Sequence, residues 1–206
     1  MGLKKSFFMV DIVNMNNEVV FDIETKQSFQ EVGGKQYMER LGVSVVGTYS
    51  YATEEFKCFT ESEFPELEQL LADATRIIGF NSKHFDVPVL QPHVSINLKE
   101  IMHLDLMEDV EKHLGFRVSL DNLAGTSLGV KKSGYGMEAI QWWREGNVEA
   151  IKKYCLDDVR ITRDLYEFGK KNGNVLCESR TAGRLAVPVA WTLAHDHPVF
   201  TQPKLF

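Results

Sequence analysis

The eight residues EVVFDIET, positions 18–25, constrain this chain more than any others. Val19, Val20, Phe21 and Ile23 make them its most apolar strand-like run, bounded by Asn16-Asn17 and by a polar stretch. Yet Asp22 and Glu24 interrupt that run. Side chains at i and i+2 of a strand share one face, so the two acids stand together, like charge beside like charge. Such a pair is costly unless cations neutralise it. A strand whose acidic face meets water also accommodates it, and the pair alone does not choose between the two.

The segments around this strand set the architecture. Residues 41–52 and 55–60 alternate apolar positions (Val43, Val45; Phe56, Cys58) and read as two further strands joined by a turn at Ala52–Glu54. Residues 63–74 carry Leu67, Leu70 and Leu71 at helical spacing, with Ser62 as N-cap and Pro65 in the first turn. RIIGFN at 76–81 reads as a short buried strand, FDVPVLQPH at 85–93 as a short helix and IMHLDL at 101–106 as a strand. LMEDVEKHLG is helical and stops at Gly115. Smaller helices are expected over 119–128 and 137–144. The clearest helix covers 147–168, where Ile151, Tyr154, Cys155, Val159, Thr162 and Leu165 fall on one side and Gly169 lies just past the end. Residues 172–191 contain two β-like runs around Gly183, a hairpin that extends or covers the core. Three strands in succession, then strands alternating with helices, give an α/β arrangement with a mixed sheet flanked by helices.

Composition narrows the function classes. A length of 206 residues fits one domain, with a core at about 18–168 and an extension over 169–206. No apolar run approaches the roughly 18 residues needed to span a bilayer. The N-terminal MGLKKSFFMVDIVNMNNE lacks an h-region and a cleavage site, so no secretory signal is expected. Cys58, Cys155 and Cys177 are odd in number, widely spaced and without a CxxC pair, which favours a reducing, cytoplasmic setting and argues against a zinc site. The formal net charge of −6 argues against a protein that coats duplex DNA. It does not argue against an enzyme that holds cations, because bound divalent ions reverse the local electrostatics of a carboxylate site.

Two more segments concentrate carboxylates. Asn81-Ser82-Lys83-His84-Phe85-Asp86 directly follows the buried strand. Asp86 sits where a helix begins and can serve there as a cap, and Asn81 can serve as a turn residue. In Tyr154-Cys155-Leu156-Asp157-Asp158, Tyr154 and Asp158 are four apart and share a helix face, while Asp157 points elsewhere, toward solvent.

Together DIE, NxxxFD and YCLxD resemble, in order and spacing, the three exonuclease motifs of the proofreading domain of family B DNA polymerases and of stand-alone DEDDy exonucleases. The resemblance covers roughly residues 18–168. It implies a ribonuclease-H-like fold with a mixed five-stranded sheet whose second strand is antiparallel. It also implies that Asp22, Glu24, Asp86 and Asp158 bind two divalent ions, magnesium or manganese, and that Tyr154 positions the attacking water. The related DEDDh branch has a histidine five residues before the last Asp; that position here is Lys153, which excludes the histidine variant. Hard cations prefer oxygen ligands, which accounts for carboxylates in place of histidines or thiols.

By the same resemblance the substrate is a single strand of DNA or RNA with a free 3′ end, cut to nucleoside 5′-monophosphates. Thr25 and Asn81 lie near its terminal nucleotide, Phe85 stacks on the terminal base or packs in the core, and Lys83, Lys131 and Lys132 contact phosphates or are simply solvated. Of Trp142 and Trp143, one is expected inward and one outward. Asp105 is an outer acid or, more simply, a cap on the next helix, and His84, His103 and His113 show no metal-ligand spacing. Similar tails in helicase-associated relatives suggest, by analogy, association with a helicase or polymerase. A structure-specific endonuclease with the same site and a nucleic-acid-binding module without turnover are the rival readings.

Overall fold

The structure, a computed structural model, describes residues 17–130 and 136–193. Strand β1 (Glu18–Thr25) is followed by a helical turn, α1 (Phe29–Val32), and an irregular 3-10 stretch over Lys35–Arg40. The hairpin strands β2 (Val43–Ser50) and β3 (Glu55–Phe59) lead to α2 (Phe64–Ala72). Then β4 (Arg76–Gly79), α3 (Asp86–Leu90), β5 (His103–Asp105), α4 (Leu106–Leu114), α5 (Leu120–Leu128), α6 (Gly136–Arg144) and α7 (Val148–Asn172) follow, and β6 (Asn174–Ser179) pairs with β7 (Gly183–Pro188).

The main sheet has the order β3-β2-β1-β4-β5. β2 runs antiparallel to both neighbours, while β1, β4 and β5 are parallel. This is the expected α/β, ribonuclease-H-like sheet with an antiparallel second strand. β1 is central and covered on both faces. Val19, Phe21 and Ile23 pack with Leu67, Leu71, Val87 and Leu90, whereas Val20 packs with Leu106, Leu123 and Val159 on the other side.

The even-numbered face of β1 lies along α7, which runs antiparallel to it. Glu18 meets Tyr166 at one end, and Asp22 meets Cys155 and Asp158 at the other. Four strand residues span about 13 Å and eight helix residues about 12 Å, so strand and helix stay in step from one end to the other. At the Glu18 end the pairing is ionic and buried. Arg76 Nε donates to Glu18 Oε1 at 2.6 Å, Tyr166 Oη donates to Glu18 Oε2 at 2.8 Å, and Arg76 also donates to the Trp191 carbonyl at 2.8 Å.

Several boundaries differ from the sequence reading. α7 continues to Asn172 and is closed by Gly173 in the left-handed conformation. Gly169 is therefore inside the helix, where a Cβ would collide with the Trp191 ring. It is a glycine because Trp191 packs on it, and no signal within the helix announces that. Ser62 does not cap α2; Thr60 and Glu63 form a capping box on the 3-10 turn just before it. Neither Trp142 nor Trp143 is fully inward, since both are half-buried. Lys131 and Lys132 lie outside the described residues. Among the described residues no helix is long and apolar enough to cross a membrane.

Candidate functional site

In parallel α/β sheets the crevice beyond the carboxyl ends of the strands is where side chains from different elements converge. Asp22 and Glu24 stand at that end of β1, residues 81–86 follow β4, and α7 packs along β1 and β2. Asp22, Glu24 and Asp158 each offer a ligand oxygen, and the three oxygens lie within 4.8 Å of one another. The sheet periodicity supplies two of these acids and the helix register supplies the third. Glu24 and Asp158 are buried, and Asp22 is partly exposed.

Asp86 is buried at the wall of the same cavity but stands outside that triplet. It is the first residue of α3, and instead of capping its own helix it accepts from the Ile23 amide at 3.2 Å. That bond reaches the residue between the two acids of β1. Burial pushes the Asp86 carboxyl up to about 7, against the pull of the Asp86 and Ile23 amides, and the nearby charges of Asp105 and Asp158 add to the rise. An all-oxygen donor set, largely buried and mutually repelling, fits a hard divalent cation.

The cavity beside the acids has a volume of about 400 Å³, within the range that encloses a small ligand. Tyr154 and Thr25 line it with the carboxylates, and Asn81, Phe85, Phe29, Met137 and Ile140 form further walls. Phe85 packs partly buried against the core, edge-on to Phe29 at 5.8 Å, and also lines the cavity. Tyr154 is buried, with Trp142 edge-on to it at 6.0 Å. Asn81 holds a left-handed backbone, φ 63°, and its side-chain oxygen accepts from Arg117. Lys83 is not among the lining residues; its ammonium is paired with Glu108 at 2.8 Å. Asp157 pairs with Arg160, away from the acids.

Two supporting arrangements were not evident from local sequence. Asp105 caps α4 through the Met107 and Glu108 amides and also accepts from the Asn81 and Lys83 amides at 2.8 and 3.0 Å, so it fixes the loop that leads to Asp86. Its place before a helix signals the cap, but nothing signals the loop. Cys155 Sγ donates to the Asp22 carbonyl at 3.4 Å and lies 3.7 Å from the Asp22 carboxylate. Burial, contact with Cys58 and the Asp22 charge push its thiol up, so it stays protonated.

No curated protein matches the chain. Among solved structures it is similar to the family B DNA polymerase from the hyperthermophilic archaeon Pyrobaculum calidifontis, with a TM-score of 0.57 and 19% sequence identity over 74% of this chain. The match spans 24% of that polymerase, and at this identity it shows a shared fold. The RNase_H superfamily model matches residues 19–168, from the acidic strand to the far part of α7. Members of that superfamily are usually nucleases that use divalent metals. With most of its length matched, the chain belongs to the RNase_H superfamily.

Proposed function

We propose that this protein is a 3′→5′ exonuclease of the DEDDy type, which hydrolyses single-stranded DNA or RNA from a free 3′ end to nucleoside 5′-monophosphates. The observation that carries the reading is the meeting of Asp22, Glu24 and Asp158 within 4.8 Å at the edge of a cavity large enough for a terminal nucleotide. Asp22, Glu24, Asp86 and Asp158 would hold two magnesium or manganese ions. When bound, such ions supply positive charge to the attacking and leaving oxygens and activate water at neutral pH.

The chain's own residues do the rest. A phenol is a weak base at neutral pH, so Tyr154 orients the attacking water through its hydroxyl and does not deprotonate it. The Trp142 ring and the buried flank of α7 fix the angle of that hydroxyl. Phe85 and Phe29 offer apolar faces to the terminal base, and Thr25 and Asn81 offer polar groups to its sugar and phosphate. Lys83 reaches the strand only by leaving Glu108, which makes it an outer contact.

The test is cleavage of 5′-labelled DNA and RNA strands of matched sequence. A ladder shortening from the 3′ end in magnesium or manganese, abolished by EDTA, is expected. One internal cut identifies an endonuclease, and intact strands with retained binding identify a module without turnover.

A further inference from the structure

The cavity beside the acids is one end of a longer depression. A second hollow, lined by Asp22, Asn81, Asp158, Met107, Val118 and Ser119 among others, shares its acidic wall. A third shares Val118 and Ser119 with the second and continues to the turn of the β6–β7 hairpin. Three side chains stand out there. Phe116, just after the Gly115 cap of α4, is 44% exposed and presents an aromatic ring at the wall of this hollow. Arg117 is 55% exposed, lies 3.8 Å from the Glu111 carboxylate on its outer side and reaches inward to the Asn81 side chain, which joins the outer hollow to the inner one. Arg180 is exposed in the hairpin turn on the opposite wall. Glu178 is the single acid among the residues lining this hollow, against two guanidinium groups.

A net charge of −6 disfavours a polyanion overall, so a strand is held best where cations are gathered. An exposed aromatic ring beside two arginines is what single-stranded nucleic acid uses: a base stacks on the ring while phosphates meet the cations. Resting on the nuclease reading above, we propose that Phe116, Arg117 and Arg180 form a second nucleic-acid subsite, which holds the strand several nucleotides away from the end seated beside the acids. The hairpin thereby acts as one wall of a strand-binding track as well as a cover for α5 and α7.

Binding and cleavage are measured separately. Affinity is read by anisotropy in calcium buffer for a labelled dinucleotide and for a strand of about twelve nucleotides, long enough to pass both hollows. The wild type is expected to bind the long strand more tightly. Phe116→Ala should lower long-strand affinity about 5- to 100-fold with dinucleotide affinity unchanged. Arg180→Ala should also weaken it and should reduce the slope of log affinity against log salt by about 0.7, which Phe116→Ala does not and Arg180→Lys restores. Both side chains are exposed, so melting curves should not move. Equal affinity for both lengths, or long-strand affinity untouched by either substitution, overturns the subsite. Length-dependent binding that the variants abolish, in a wild type that never cleaves, supports the subsite and overturns the nuclease reading alone.

Discussion

Gly47 couples the packing of the sheet to the geometry of the acids. It pairs with Asp22 across β1 and β2, and a Cβ there would lie 2.8 Å from Cys155 Sγ and 3.1 Å from Val159 Cγ2. Comfortable separations are roughly 3.5–4 Å, so α7 must recede by roughly 0.5–1 Å to admit alanine. Overpacking of this kind costs about 1–3 kcal/mol, partly offset by the roughly 0.5–1 kcal/mol gained on replacing a strand glycine. The net of about 1–2 kcal/mol corresponds to a fall in Tm of roughly 2–8 °C for a chain of this size. Tyr154 and Asp158 ride on the same helix, and a displacement of about 1 Å at a reacting centre can cost on the order of 10²-fold. Gly47→Ala should therefore lower single-turnover cleavage by about 10- to 100-fold and lower Tm together. Cys155→Ala removes the closest obstacle, so the double variant should recover most of both. Melting curves and cleavage rates for the four proteins of the cycle test this. Wild-type turnover in Gly47→Ala, or an equal effect of that substitution in both Cys155 backgrounds, refutes the coupling.

Asp22→Ala should cut turnover by orders of magnitude without lowering metal-free Tm, because it relieves repulsion; Asp157→Ala, whose carboxylate pairs with Arg160, should cost little. A dispensable Asp22 would remove it from the site. Tyr154→Phe should lower turnover by about 10²–10³ yet leave metal-induced stabilisation intact, whereas Asp158→Ala should weaken both; calorimetric titration of metal into the two variants separates the roles. His103, whose ring meets Ser82 Oγ at 2.8 Å, is pushed down to about 4 by burial. Below its ordinary value of 6.5 the unfolded chain takes a proton that the folded chain refuses, so stability falls as pH drops from 6.5 toward 4, by at most about 3 kcal/mol. His103→Gln should flatten that part of the wild-type profile in urea melts; an unchanged profile counts against a buried neutral ring.

What the sequence revealed was periodic. The two-residue repeat of β1 placed Asp22 and Glu24 on one face, and the four-residue repeat of α7 set Tyr154 beside Asp158 and turned Asp157 away. What it hid was decided by partners distant in the chain. Asp86 reads as a helix cap until the Ile23 amide, 63 residues earlier, is seen to claim its oxygen. Gly169 reads as a stop because Trp191 is invisible from within the helix. Residues 26–40 carry no periodic pattern, so nothing in them announces the turn that brings Phe29 to the cavity. Met137 and Ile140 are silent for a different reason: the helical pattern of 137–144 is plain in the sequence, but its orientation over the acids is tertiary.

The position of α7 behind every strand of the main sheet also sets the order in which the molecule is completed during synthesis. All five strands of the main sheet precede Leu106, so the sheet can assemble while α7 is still unmade. Until then Asp22 and Glu24 face water without Asp158, and Val20 and Val45 leave an apolar surface bare, the kind of exposure that nascent chains must have shielded. Arrival of α7 closes both defects, since the helix that carries Asp158 also covers Val20 and Val45. Trp191 then lays its ring against Tyr166 and its carbonyl on Arg76, which seals the Glu18 pair from solvent. The third carboxylate is thus delivered by the same docking step that buries the sheet, and a nascent chain ending before Asp158 lacks the completed acidic cluster however well its strands have paired.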